Sequence, residues 1–262
     1  MPGLAVVLLS GIVASLAILL NVTGLRAQQV AGERDKAPVL SAISERVRPF
    51  VEDGEISGAV TLVATRDRIL HLEATGKADI GEGKPMRSDA IFWVASMTKP
   101  VTATAVLMLQ EEGKLSVDDP VEKYLPEFQK LRTADGKPAR VTIRHLLTHT
   151  SGMGEISSDE ARGIKNLSGL IPLYVGKAVL YEPGTKWVYC QSGINSAARV
   201  VEVASGASFD EFVERRLFEP LGMKDTTFYL SEKQLPRLAK SYRRIDRGEL
   251  EATELFILNG MG

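Results

Sequence analysis

Ser96-Met97-Thr98-Lys99-Pro100-Val101 is the stretch on which the reading of this chain turns. It follows a short apolar run, Ile91 to Val94, and opens a segment in which Ala103, Val106, Leu107 and Leu109 or Gln110 recur at helical spacing as far as Gly113. Apolar residues returning every three or four places mark the buried face of a helix, and a glycine just past the last of them marks its C-cap. Ser96 and Lys99 are three apart, so at the head of that helix they stand one turn apart on one face, where an amine can share the proton of a hydroxyl. The free amides and positive dipole end of a helix start favour the negative charge that develops when a hydroxyl attacks a carbonyl. Pro100 is tolerated there, because a first-turn residue has no intrahelical amide bond to lose. An N-cap serine beside a solvated lysine would look the same, so the pair needs support from the rest of the chain.

Upstream, the pattern changes period. Ala59 to Thr65 and Arg68 to Ala74 are β-rich runs parted by Arg66-Asp67, which predicts an antiparallel hairpin. Gly76, Gly81, Gly83 and Pro85 predict a loop after it. Before the hairpin, Val39, Leu40, Ile43, Val47, Phe50 and Val51 place an amphipathic helix over Pro38 to Glu52, with Gly54 just beyond its end. Residues 28–37 are polar and charged and read as a tether. Ahead of them, Leu4 to Leu20 carries no charge and gives way to Arg26-Ala27, so residues 1–27 are expected to be an export signal or an uncleaved membrane anchor. Either one puts the remaining chain outside the cytoplasm, in a periplasmic or extracellular space.

Downstream, helical and irregular segments dominate. Thr142 to Thr148 predicts a short helix ended by Ser151-Gly152, and Ile194 to Ala204 another ended by Gly206. Ser208-Phe209-Asp210-Glu211 has the capping-box pattern that opens a helix containing Phe212, Val213 and Leu217. Past Met223 the pattern is weak. The fold class is therefore α/β in the α+β sense, an antiparallel sheet with flanking helices joined to a mainly helical region. Residues 38–95 form the first part of the sheet-bearing region, 96–223 the helical region, and 224–262 the start of an incomplete last part.

Composition narrows the function classes. The 262 residues hold 32 Lys and Arg against 33 Asp and Glu, a net charge of −1, with 44% hydrophobic residues. That balance argues against nucleic acid as the partner and against a disordered chain. The single cysteine, Cys190, excludes an intrachain disulfide.

Two further stretches carry polar chemistry. Tyr189-Cys190-Gln191-Ser192-Gly193 lies between a Pro-Gly turn and a helix, so a phenol and an amide can be held beside another polar site. His145-Leu146-Leu147-Thr148-His149 sets two imidazoles at i and i+4, a spacing that permits a shared metal. Leu146 stands where a zinc-protease motif has its glutamate, and no third ligand stands out, so no metal is expected. Hydrogen bonding around the turn at Gly152 is the expected use of His149.

Taken in order, the Ser96–Lys99 stretch, DDPVEKYLPEF, TIRHLLTHTSGM, EPGTKWVYCQSG and FEPLGM resemble the serine β-lactamase-related family, which includes class C β-lactamases, D-alanyl-D-alanine carboxypeptidases and related esterases. The resemblance runs from about Val39 to about Phe228 and implies the β-lactamase/transpeptidase fold. It implies that Ser96 is the acylated nucleophile, Lys99 its proton partner and Tyr189 the phenol of the second motif, with no cofactor. Gln191 falls where the family usually has Asn or Ser, one methylene longer than Asn. Its contact to a substrate amide is expected to be re-aimed, which favours an ester over a β-lactam or a D-amino-acid peptide as the small-molecule substrate. Lys99 as a neutral amine and Tyr189 as a phenolate are alternative bases, assigned jointly as a coupled pair.

The family's third element, a Lys- or His-led triplet ending in Gly on a site-lining strand, has no counterpart after Ser192. The expectation is a chain truncated at its C-terminus and lacking the returning strands. A catalytically impaired or non-catalytic ligand-binding remnant of the family is the alternative to a working serine hydrolase.

Overall fold

The computed structural model describes residues 40, 42–246 and 248–253. The expected export segment over residues 1–27, the tether over 28–37 and the start of the first helix at Pro38 lie outside the described residues. By its internal contacts the chain divides into two compact units, one running up to Ser88 and including Arg244–Leu250, the other covering Asp89–Arg243 and the residues from Glu251 on.

In the first unit, helix α1 (Ala42–Glu52) is followed by strands β1 (Gly58–Ala64), β2 (Ile69–Asp79) and β3 (Lys84–Pro85). They form an antiparallel sheet in the order β1-β2-β3. The expected hairpin is present, with Gly58 opposite Gly76, Leu62 opposite Leu72 and a register shift at Val63/Ala64. The turn closes where the Thr65 amide donates to the Arg68 carbonyl at 2.8 Å.

The loop expected from Gly76 is instead strand. β2 continues five residues past Ala74, and Gly76 sits inside it at φ +81°. A Cβ there would come within 2.5 Å of the Ser57 carbonyl oxygen and 2.9 Å of a Val51 methyl. Glycine is thus read as a loop signal in sequence but serves here as the residue that lets α1 and the start of β1 close on β2.

The second unit is mainly helical. Its longer helices are α2 (Thr98–Glu111), α4 (Leu167–Val175) and α5 (Gln191–Ser205), with shorter α3 (Ile143–Leu147) and α6 (Phe209–Val213). Helix α2 ends as expected at Gly113, φ +70°, where the Lys114 amide donates to the Leu109 carbonyl at 3.0 Å and the Gly113 amide to the Gln110 carbonyl at 2.9 Å. This pair of bonds satisfies carbonyls that would otherwise lack partners at a helix end. Helix α5 ends at Gly206, φ +77°. The Ser208 hydroxyl accepts from the Glu211 amide at 3.4 Å to start α6, which runs on into a π-helical turn over Glu214–Phe218.

Helix α5 is the axle of this unit, packing against α2, α3, α4 and α6. Val106 and Leu109 of α2, Ile143 and Leu146 of α3, Leu170 and Ile171 of α4, and Val200 and Val201 of α5 are fully buried in one cluster. Burial of that many branched side chains stabilises the unit by roughly 1.5–3 kcal/mol each. It also holds the heads of α2 and α5 at fixed separation, which is what the candidate site requires. Among the described residues after Met223 there are one 3-10 turn (Leu235–Arg237) and two short strands, β4 (Tyr242–Arg244) and β5 (Leu250–Ala252), in a two-stranded sheet of their own. Among the described residues no helix is long and apolar enough to cross a membrane.

Candidate active site

Ser96 stands in a 3-10 turn, Ala95–Met97, that leads directly into α2. Ala95 before it has φ +44°, a left-handed conformation that costs a residue with a Cβ about 1 kcal/mol. Lys99, one turn on, donates from Nζ to Ser96 Oγ at 3.1 Å. The same ammonium donates to Gln191 Oε1 at 2.7 Å and lies 4.7 Å from the centre of the Tyr189 ring. The four residues singled out from the sequence, Ser96, Lys99, Tyr189 and Gln191, are therefore gathered around one nitrogen, although 92 positions separate Lys99 from Gln191.

Tyr189 is held below the ordinary phenol range first by its hydrogen bond with Lys99 and second by that with Ser96, and the Lys99 charge adds to this. A cation beside a phenol favours the phenolate. The ring also has aromatic neighbours. His149 packs on it at 4.6 Å between centroids, tilted by 36°, and Trp187 stands 6.2 Å from His149 edge to face.

The two histidines have separate local duties. His145 Nδ1 accepts from the Thr142 amide at 3.3 Å while the Thr142 hydroxyl accepts from the His145 amide, a reciprocal cap on α3. His149 Nδ1 accepts from the Cys190 amide at 3.2 Å and its carbonyl accepts from Val188 at 2.9 Å, so His149 fixes the segment that carries Tyr189. Burial lowers the proton affinity of both rings, with Arg144 adding to this at His145 and Lys99 at His149. A neutral ring is what an accepting Nδ1 needs. Gly152, φ +74°, closes the turn that follows, and a Cβ there would collide with the Tyr181 carbonyl. Among the described residues no cluster of three or more His, Cys, Asp or Glu is placed to hold a metal ion.

Helix α5 begins at Gln191, three residues before the expected Ile194, and the reason is a residue that sequence reading missed. Cys190 occupies the N-cap position without a side-chain cap bond. Glu155 takes over that duty. Its carboxylate accepts from the Gln191 amide through one oxygen and from the Ser192 amide at 3.2 Å through the other. A carboxylate at a helix N-terminus satisfies free amides and complements the dipole. Glu155 follows the SGM of the histidine segment, and only its closeness to that motif could have drawn attention to it.

Beyond the expected group, the Gln191 amide donates from Nε2 to Asn195 Oδ1 at 2.9 Å, and Asn195 Nδ2 donates to the Tyr174 hydroxyl at 2.8 Å. Apolar surroundings raise Tyr174 to about 12, so that phenol stays neutral.

A hydroxyl, an ammonium and a lowered phenol gathered at the head of α2 are the groups that the resemblance to serine hydrolases with an S-x-x-K pair implied. Residues 43–256 match the β-lactamase family, and the chain belongs to it. Esterase EstB of Burkholderia gladioli is 34% identical over 214 residues, covering 76% of this chain and 54% of that protein. Penicillin-binding protein 4* of Bacillus subtilis is 30% identical over 201 residues, covering 73% of this chain and 43% of that protein. The structure of EstCE1, a hydrolase with promiscuous acyltransferase activity, aligns with a TM-score of 0.70 at 28% identity over 79% of this chain and 56% of its own. The fold is thus of the β-lactamase/transpeptidase type, as the motif order implied. The chain spans about half the length of the curated relatives it matches.

Proposed function

We propose that this chain carries the acylating machinery of a serine hydrolase whose substrates are small esters. One observation carries the reading: Lys99 donates at once to Ser96 Oγ and Gln191 Oε1 while lying against a Tyr189 whose phenol is lowered. With its donors engaged this way Lys99 acts as the cation, and Tyr189 is the partner that takes a proton, of the two bases left open by the sequence.

The Ser96 proton passes to the Tyr189 oxygen as Oγ bonds to the ester carbonyl carbon. The tetrahedral adduct then collapses, the carbonyl–alkoxy bond breaks, and the proton on Tyr189 goes to the departing alcohol. Water repeats the sequence on the acyl-enzyme, losing its proton to Tyr189 and releasing the acid and free Ser96. Lys99 stays charged throughout and offsets the phenolate.

Gln191 supports ester over amide substrates, because its oxygen is engaged by Lys99 and its nitrogen by Asn195, leaving less of the amide to meet a substrate N–H. The name of one relative, an esterase, supports this choice, while that of another, a penicillin-binding protein, does not. Export through residues 4–20, cleaved or retained as an anchor, belongs to the same proposal and is tested by N-terminal sequencing of the exported protein.

The decisive experiment is incubation with a fluorophosphonate and with fluorescent penicillin, read by intact mass. The expected result is one adduct on Ser96, absent from Ser96→Ala. An adduct that survives that substitution would falsify the nucleophile.

A further inference from the structure

The bonds around Gln191 form a directed series. An ammonium has only donors, so Lys99 can be met at 2.7 Å only by the oxygen of the Gln191 amide. That choice turns Nε2 toward Asn195, which must answer with Oδ1, and the Asn195 nitrogen then donates to the Tyr174 hydroxyl. Each amide is fixed by the one before it, and the series ends on a phenol in α4 that is 2% exposed. Gln191 and Asn195 are i and i+4 on α5 and so share one helical face.

We propose that Asn195, backed by Tyr174, is a positioning residue that locks the Gln191 amide with its oxygen toward Lys99. The need for it follows from side-chain length. Glutamine has one more rotatable bond than asparagine and stands exposed in the first turn of α5, so alone it would sample rotamers in which Lys99 loses an acceptor or faces the amide nitrogen. A half-buried tether one turn along the helix removes those rotamers. The significance for catalysis rests on the role given to Lys99 above. The tether itself does not, and its test is independent of enzymatic turnover.

Lys99 in the full chain is trace-labelled with acetic anhydride at one fixed pH and quantified by peptide mass, with the exposed Lys165 as internal reference. The neutral amine is what reacts, and acceptors that hold an ammonium also hold its proton, so losing one raises labelling. Asn195→Leu is expected to raise the Lys99/Lys165 ratio about fivefold, within the strength of one charge-assisted hydrogen bond. Gln191→Leu should give the same rise, the double variant no more than either single one, and Asn195→Asp, which keeps the acceptor for Nε2, the wild-type ratio. A ratio unchanged in Asn195→Leu, or single effects that multiply in the double variant, overturns the proposal. If the leucine variant loses its cooperative melt, Asn195→Ala is read in its place, and a wild-type ratio there rejects the tether equally. Failure of Ser96 to take a fluorophosphonate would sink the hydrolase reading while leaving this labelling result standing.

Discussion

At the scale of single residues, what distinguishes this site is how many groups depend on the Lys99 nitrogen. Ser96, Gln191 and the face of Tyr189 all meet it, so removing the charge has effects beyond the loss of one bond. Lys99→Met is expected to move the pH at which Tyr189 ionises up toward the ordinary phenol range. The sign follows from the cause: the cation favours the phenolate, so without it the proton is held to higher pH. Ultraviolet titration of the variant against the same variant carrying Tyr189→Phe isolates this one phenol, and a signal at unchanged pH would exclude Lys99 as its partner. The Ser96–Lys99 pair was visible in its spacing, but an N-cap serine beside a solvated lysine has the same spacing, and only the order of the motifs along the chain singled the pair out. Tyr189 and Gln191 were legible only through motif order, since nothing local in YCQSG says what it faces. Glu155 was not legible at all: a cap formed by a side chain 36 positions upstream leaves no mark on the sequence around the helix it caps.

At the scale of elements, two caps carry consequences. Glu155 is the sole side chain seen to cap the start of α5 among the described residues, and Glu155→Ala should cost about 1 kcal/mol in urea unfolding. It should also slow Ser96 labelling, because the first turn of α5 carries Gln191, whereas Glu160→Ala nearby should leave labelling unchanged. The second cap lies between α2 and α3. Asp119 accepts from the Tyr124 hydroxyl at 2.6 Å, the Lys123 ammonium at 2.9 Å and the Ser116 amide at 2.9 Å, and these bonds bring it from 3.8 down to about 2. A carboxylate lowered on folding contributes stability that is complete above the unfolded value and lost as pH falls through the folded one. Asp119→Asn is therefore expected to lower stability by about 1 kcal/mol at neutral pH, after allowance for solvent screening, and the gap to the wild type should close between about pH 4 and pH 2. Parallel urea titrations across that window provide the measurement. The limits of sequence reading at this scale are physical. Helices α2 and α6 announced themselves through local caps, while β2 ran past Gly76 because the steric closeness of Ser57 and Val51, a long-range fact, decides what that glycine is for.

At the scale of the whole molecule, the fold class and the order of α1, β1, β2, α2, α3, α5 and α6 were readable from periodicity and caps, whereas α4 and the short strands β3, β4 and β5 were not read in advance. The way α5 gathers α2, α3, α4 and α6 was not, since apolar positions say that a face is buried and not against what. The sheet of the first unit shows apolar side chains to solvent, with Leu62 56%, Ile69 59% and Leu72 38% exposed, and β1 has no outer neighbour in that sheet among the described residues. An open strand with apolar neighbours is a site of self-association. Leu62→Lys should reduce oligomers seen in sedimentation velocity while leaving the melting temperature within a few degrees, and an unchanged oligomer distribution would show that this edge is not what the chain associates through.

The backbone at Ala95 has a bearing on how such a site ages under selection. A left-handed residue directly before Ser96 holds conformational energy that glycine at the same position would release. The ordinary route to a hardier protein is to relieve such tension, and here that route leads through the residue that aims the hydroxyl. Variants selected for heat tolerance alone would be drawn to Ala95 early and would emerge tougher and slower, whereas variants selected for turnover would keep the tension and gain their robustness in the core around α5.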